Sequence, residues 1–447
     1  MFAKKFKLNL DSESRHEAFM VFVLFASWVI SRTVLLIFYA PTVNPDTGTY
    51  QLLADQIAQF DFSHYNGQRT PGYPLLILLS RNNYFILWII QSFMALGTSS
   101  LVYWLVRTQT TNRLSALSAS LLSLMALNLL FFEAAIFTEI ASASLLALTC
   151  CLSVRILNRD TGIGSVLALG GGIALLTLTR PQYVFMILWL PLVIVFFARQ
   201  RRWAVALIVF ASASLPVTGW MAFNKKELGS FTITTLLGYN LSNHTGAFME
   251  YAPDDYAEIR DIYLKYRKQK LEETGSHHMT IFWARKELLE KTGMSEVELS
   301  KQFQRLSIQL IKEHPVLYLR GVVNSWISFW TVPNYWELDK LKSRHLSEAL
   351  QWAWKIQQPV YRLFNALFIL ISAWLIWQVI WHPASKRDQL MVPFIFSSIV
   401  IGCSVVQALA EYGDNSRYFI PNQPLVIATV IIAIADLARR WRPVRIK

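Results

Sequence analysis

Two short strings hold residues whose types and spacing could do chemistry: Asn44-Pro-Asp-Thr-Gly-Thr-Tyr50 and Arg69-Thr-Pro-Gly-Tyr-Pro74. Asp46 in the first can accept a proton, and the planar fork of Arg69 in the second can hold an anion. Thr138-Glu139, Arg180-Pro181, Glu411 and Asp414-Asn-Ser-Arg-Tyr418 add carboxylates, guanidiniums and a tyrosine further along the chain. On its own terms Asp46, following Asn-Pro and preceding a helical pattern, reads first as a helix N-cap. Arg69 alone could bind lipid headgroups in general, and Arg180 and Arg417 could form structural ion pairs with Glu133, Glu139 or Glu411. What turns scattered residues into a candidate site is their common position, which depends on the elements that carry them.

Those elements are membrane spans. The 447 residues are 54% apolar and only 16% charged, well below the roughly 25% charge of a soluble domain. About 20 helical residues cross a bilayer core, and ten stretches approach that size: 18–40, 84–106, 114–132, 138–157, 163–179, 181–198, 203–223, 359–381, 389–408 and 422–438. The first has no small-residue cleavage pattern and reads as a retained helix. With the N-terminus inside, eighteen Lys and Arg fall in cytoplasmic segments against four, Arg69, Arg81, Arg180 and Arg417, in the short segments outside. The positive-inside rule then puts both termini in the cytoplasm. The net charge of +13 follows from this topology and calls for no nucleic acid. Asp46, Arg69, Glu133, Glu139, Arg180, Arg362, Glu411, Asp414 and Arg417 all fall at or near the outer boundary, where ionisable groups are functional candidates. Arg32 alone lies well inside a span, placed to snorkel or to pair with a carboxylate of a neighbouring helix. Cys150, Cys151 and Cys403 sit within apolar runs, and no disulfide is expected.

The expected architecture is therefore an all-α polytopic membrane protein of about ten transmembrane helices in three parts. Residues 1–223 form an N-terminal membrane module whose first outer loop, 41–83, carries the candidate chemistry. Residues 224–358 form an outer helical domain between helices 7 and 8, and residues 359–447 supply the last helices and a basic cytoplasmic tail. In the first loop Tyr50, Leu53, Ala54, Ile57 and Ala58 face one way and Gln51, Asp55, Gln56 and Gln59 the other, an amphipathic helix suited to lying on the membrane. Residues 74–79 form a second interfacial piece. In the outer domain Ser295 and Glu298 predict a capping box. The aromatic run 316–330, short for a span, reads as a surface-lying helix. His244, His277, His278 and His345 lack metal-ligand spacing and read as solvated. Asn240-Leu-Ser and Asn243-His-Thr fit the glycosylation pattern.

At Asn44 to Tyr50 and Arg69 to Pro74 the sequence resembles the GT-C superfamily of integral-membrane glycosyltransferases, in particular the branch of protein O-mannosyltransferases and lipid A aminoarabinose transferases. Thr138-Glu139, Arg180-Pro181, His314-Pro-Val-Leu-Tyr-Leu319 and Asp414 to Tyr418, with Pro421 and Pro424 following, match in order, so the resemblance covers nearly the whole chain. Thr47 stands where many mannosyltransferases carry a second carboxylate, and neither outer loop has the Asp-x-Asp pair of metal-dependent oligosaccharyltransferases.

The resemblance implies an inverting transfer of one sugar from a polyprenyl-phosphate donor to a lipid, polysaccharide or protein acceptor. It makes Asp46 the general base and places Arg69, Arg180, Arg417, Tyr418, Tyr50 and Tyr73 around the donor's phosphate and sugar. Glu139 and Asp414 become supporting carboxylates. No cofactor is expected, and a divalent metal is disfavoured although Glu411 and Asp414 could approach Asp46. The partners are the lipid-linked donor, its acceptor and the bilayer, and the expected setting is a bacterial inner membrane with the site facing the periplasm or cell exterior. The rival readings are a lipid-linked-glycan polymerase or ligase, which leans on loop arginines and a histidine, and, further off, a secondary transporter, which would show repeated halves and midplane polar sites.

Overall fold

A computed structural model describes residues 12–440 apart from 159, 199, 200, 382, 383 and 414. Among these residues the chain is helical, and its only strand-like pairing is one parallel bridge between Thr42 and Ala135. Seven helices are long and apolar enough to cross a membrane: Arg15–Phe38, Tyr84–Thr110, Glu139–Leu157, Arg202–Leu228, Arg344–Trp381, Leu390–Ala410 and Asn415–Arg439. Three shorter apolar stretches, Arg113–Leu124, Ile163–Thr179 and Pro181–Phe197, lie between them. This is an all-α polytopic membrane protein.

Asparagines open two of the helices. The Asn83 side chain accepts from the backbone N–H groups of Phe85 and Ile86, and Asn112 does the same for Leu114 and Ser115, satisfying donors that a helix start leaves bare.

Two expectations are corrected. The apolar run 114–132 is not one span: helix Arg113–Leu124 stops, and helix Leu127–Phe132 starts afresh. Hydropathy could not show this, because the break is repaired from elsewhere in the chain. The Leu127 N–H donates to Gln357 Oε1 at 3.0 Å, and Gln357 Nε2 donates to the Met125 carbonyl at 3.0 Å. In a span such freed groups must find protein partners, since lipid offers none. The eighth predicted span is also longer than its apolar core, running as one helix from Arg344 to Trp381 through Pro359.

The first-loop helix Thr47–Gln59 departs from the flat-on-membrane reading as well. Tyr50, Leu53 and Ala54 are buried against protein, while Leu52, Ala58 and, just past its end, Phe60 are exposed. Its neighbour Gly72–Leu79 forms where residues 74–79 were expected in the interface and leaves Leu75 and Leu79 exposed. Both helices dock on the bundle because helix Gly72–Leu79 begins with a glycine. A Cβ on Gly72 would stand 2.8 Å from the Leu178 carbonyl oxygen and from the Thr179 nitrogen, so only glycine lets the backbones meet.

Two apolar cores form. One runs through the spans and includes Phe329, Trp330, Val332 and Trp354. The other is built by Tyr239, Phe248, Ile259, Tyr263, Leu288, Phe303 and their neighbours up to Leu310. The capping box is present: Glu298 N–H donates to Ser295 Oγ at 3.3 Å, and Ser295 N–H to Glu298 Oε2 at 2.9 Å. Helix Pro315–Phe329, expected to lie on the surface, packs one side along helix Ala384–Ala410. Tyr318 donates to the Leu409 carbonyl at 2.7 Å and Trp326 to Ser404 Oγ at 3.0 Å, while Val316, Leu319, Val323 and Ile327 stay exposed.

Candidate active site

The backbone bridge at Thr42 begins the site. Thr42 N–H donates to the Ala134 carbonyl and Ile136 N–H to that of Thr42, which holds residues 44–46 beside the start of helix Glu139–Leu157. Gln91 steadies the same turn by donating to the carbonyls of Glu133 and Ala135 at 2.9 and 3.1 Å. Arg32 is satisfied just beneath: it pairs with buried Glu133, and Ser92 Oγ donates to that carboxylate at 2.8 Å.

Asp46 does not cap its helix: its backbone is helical and its side chain accepts nothing from the first turn. It turns to two guanidiniums, with Oδ1 2.7 Å from Arg69 and Oδ2 3.1 Å from Arg417. Arg417 reaches on to Glu139 at 2.9 Å, and Glu139 is also 3.2 Å from Arg180. The result is an alternating chain, Arg69–Asp46–Arg417–Glu139–Arg180, with one more cation than anion. Burial works to raise the Asp46 pKa, but Arg69 and Arg417 together hold the carboxyl below its ordinary value. Asp46 is therefore ionised across the physiological range.

Arg69 and Arg180 are also braced. Arg69 donates to Thr49 Oγ1 at 2.7 Å and lies 4.4 Å over the ring of Tyr50, and Arg180 lies 4.5 Å over that of Tyr418, geometry in which a ring face attracts a cation. Arg69 is aimed by a clasp at the far end of its loop. Thr235 N–H donates to the Gly67 carbonyl, Thr235 Oγ1 to that of Asn66 and Thr234 Oγ1 to that of Gln68, all at 2.9 Å. Gly67 has φ +72°, and a Cβ there would run into Leu228 and Thr235, so the clasp requires glycine.

The three arginines face a cavity of about 550 Å³. Tyr50, Tyr418, Thr70, Thr138 and Thr179 share its polar wall, and Met221, Phe231, Ile233 and Leu237 its apolar one. Phe231, Leu237 and Val184, which also lines it, are exposed, so the mouth is greasy and the floor cationic. Asp46 is not part of the lining; paired with Arg69 and Arg417, it keeps its side chain 29% exposed.

Of the residues singled out in the sequence, Asp46, Arg69, Arg180, Arg417, Glu139, Tyr50 and Tyr418 thus converge. Tyr73 does not: it is fully buried behind Tyr50, ring edge to face at 5.2 Å, and its hydroxyl donates to Gln91 at 3.2 Å. Asp414 lies outside the described residues. Glu411 is engaged by the second core, where Asn243 Nδ2 donates to it at 2.6 Å. Asn243 is therefore buried, and Asn240 lines the cavity, so neither asparagine of the two glycosylation patterns stands free on the surface. His244, read as solvated, is buried against Tyr318 and Tyr412, and its pKa falls to about 4 chiefly through that burial. His277 stacks on Tyr412 at 5.0 Å, and His345 is exposed. Among the described residues no three His, Cys, Asp or Glu side chains gather as metal ligands. Sequence reasoning missed Gln68, Gln182 and Gln407, which line the cavity; isolated glutamines give no pattern by which to find them.

No protein-family model and no curated protein matches the chain. Among solved structures it is similar to the archaeal oligosaccharyltransferase AglB from Archaeoglobus fulgidus, in complex with an inhibitory peptide and a dolichol-phosphate. The likeness has a TM-score of 0.48 and 14% identity over 97% of this chain and 53% of AglB. The chain thus spans about half the length of AglB. It is similar also to ArnT from Cupriavidus metallidurans, in the apo state with TM-score 0.38, 11% identity, and 96% and 78% of the two chains covered. For ArnT bound to undecaprenyl phosphate the figures are 0.37, 11%, 94% and 77%.

Proposed function

We propose that this chain is a GT-C-type glycosyltransferase that moves one sugar, with inversion, from a polyprenyl-phosphate donor to a hydroxyl of a lipid, polysaccharide or protein acceptor on the outer face of a bacterial inner membrane. The observation that carries the reading is Asp46 held between Arg69 and Arg417, whose guanidiniums line a cavity that is apolar at its mouth and cationic within. The order of motifs along the chain supports it.

The donor's isoprenoid tail stays in lipid beside Phe231, Leu237 and Val184 while its phosphate reaches Arg69, Arg180 and Arg417. The acceptor hydroxyl approaches the exposed edge of Asp46, which lies off the cavity wall. Asp46 takes the proton as the hydroxyl oxygen bonds to the sugar's C1. The bond from C1 to the phosphate oxygen breaks, and its electron pair leaves with the polyprenyl phosphate. That product is a monoester whose second pKa is about 6, so guanidiniums can stabilise it without a general acid. One displacement from the opposite face inverts C1.

Two ion pairs make Asp46 a poor base at rest. A phosphate that draws Arg69 and Arg417 toward itself returns basicity to the carboxylate, which ties proton transfer to donor occupancy. The test is transfer of labelled sugar from a panel of polyprenyl-phosphate sugars by purified protein, with and without chelator, beside Asp46→Asn. Loss of a general base costs about 10²–10⁴-fold in turnover, with affinity for the donor retained. Near-normal turnover by Asp46→Asn in a folded protein would end the assignment.

A further inference from the structure

Three glutamines line the cavity beside the arginines, and each is more than nine-tenths buried: Gln407 is 3% exposed, Gln68 5% and Gln182 9%. They come from three distant places: the first loop, the short turn Pro181–Tyr183 and the end of helix Ala384–Ala410. Gln68 Nε2, Gln407 Nε2 and both amide atoms of Gln182 make no hydrogen bond within the protein. A buried amide without a partner is costly, and three in one wall mark a place where a ligand supplies the partners. An amide both donates and accepts, so it reads a sugar hydroxyl in either role.

The charges around them narrow the ligand. The titratable side chains that line the cavity among the described residues are Arg69, Arg180 and Arg417 with Tyr50 and Tyr418; no carboxylate does. Asp46 and Glu139, the two carboxylates of the ion-pair chain, are already shared among the guanidiniums. An ammonium group on the donor's sugar would find three guanidiniums and no carboxylate on the cavity wall itself.

We propose that Gln68, Gln182 and Gln407 form the subsite for the transferred sugar, and that this sugar is an uncharged, hydroxyl-rich hexose rather than an amino sugar. This rests on the donor reading above. A site built to hydrogen-bond a hydroxyl rejects analogues that lack it, because its own buried groups are then left unpaired.

The test measures binding of the full-length protein in nanodiscs to three lipids: undecaprenyl phosphate, undecaprenyl-phosphate glucose and undecaprenyl phosphate carrying a 4-amino-4-deoxypentose. The wild type is expected to bind the glucosyl lipid at least tenfold more tightly than the amino-sugar lipid. Gln407→Leu and, separately, Gln68→Leu should each cut affinity for the glucosyl lipid by about tenfold or more, with affinity for bare undecaprenyl phosphate and the thermal unfolding midpoint unchanged. Equal or tighter binding of the amino-sugar lipid, or equal losses for the bare and glucosyl lipids in both variants, would overturn the subsite while leaving the donor reading standing. Failure of the folded wild type to bind even bare undecaprenyl phosphate would overturn both.

Discussion

At the scale of single residues, Asp46 shows how far a side chain's role depends on what stands around it. An aspartate at the head of a helix is a cap by default, yet here two guanidiniums outcompete the first-turn amides and hold its carboxyl below the ordinary range. The sign of the pH dependence follows. Lowering the pKa keeps Asp46 charged as the medium becomes acidic, so with Asp46 as the proposed base kcat/KM should hold through pH 5 and fall only as the pH drops through the depressed value. If bound phosphate draws the arginines off, the acid limb of kcat should lie at higher pH than that of kcat/KM. Paired pH profiles would check this, and a kcat limb at or below that of kcat/KM would remove the coupling. Arg180→Met leaves buried Glu139 with Arg417 alone and should weaken binding of undecaprenyl phosphate by about tenfold, as expected for a charge-assisted contact worth roughly 1.5 kcal/mol. Unchanged affinity by titration would place Arg180 outside the phosphate site. Asp46, Arg69 and Arg417 stood out in the sequence as charges at span boundaries, but only the resemblance set Asp46 apart from an ordinary helix cap. The burial of Tyr73 was not, because nothing local distinguishes a tyrosine that lines a cavity from one that props up its neighbour.

At the scale of elements, spans were legible where the helix is continuous and illegible where another segment repairs it. Residues 114–132 read as one helix because their composition is uniformly apolar; the break at Met125 is visible only with Gln357 in place. The first-loop helix has the expected period, but its apolar side is covered by protein, which depends on the close approach at Gly72. Gly72→Ala should push helix Gly72–Leu79 off Leu178 and Thr179 at a cost of about 1–3 kcal/mol, read as a lower unfolding midpoint together with impaired donor binding. An unchanged midpoint would show that the contact yields freely. Arg32 and Glu133 make a second element-level case. Arg32→Met alone strands a buried carboxylate and should cost about 3–5 kcal/mol, whereas Arg32→Met with Glu133→Leu should recover most of that loss. A double variant no more stable than the single one would show that Glu133 has another task.

At the scale of the whole molecule, the site is a meeting of distant segments. Asp46 and Arg417 lie 371 residues apart in sequence, and the clasp at Gly67 joins the first loop to Thr234 and Thr235. Hydropathy and the order of charges at span boundaries foretold that these segments would gather at one end of the bundle. Both cores are built from the same apolar residue types, so these signals could not tell which residues of the expected outer domain, 224–358, would pack into the second core. Nor could they show how His244 and Asn243 seat the second core on residues 408–412, since those contacts carry no sequence signature.

The amide of Gln357 has one more consequence. It completes the backbone of a helix pair that leaves the ribosome 230 residues earlier, and chains are made N-terminus first. Until residue 357 has been synthesised, the Leu127 N–H and the Met125 carbonyl lack the partner they have in the finished fold. The N-terminal spans on their own are then an unfinished insertion intermediate, and the maturation of this membrane domain is timed by the arrival of its C-terminal helices.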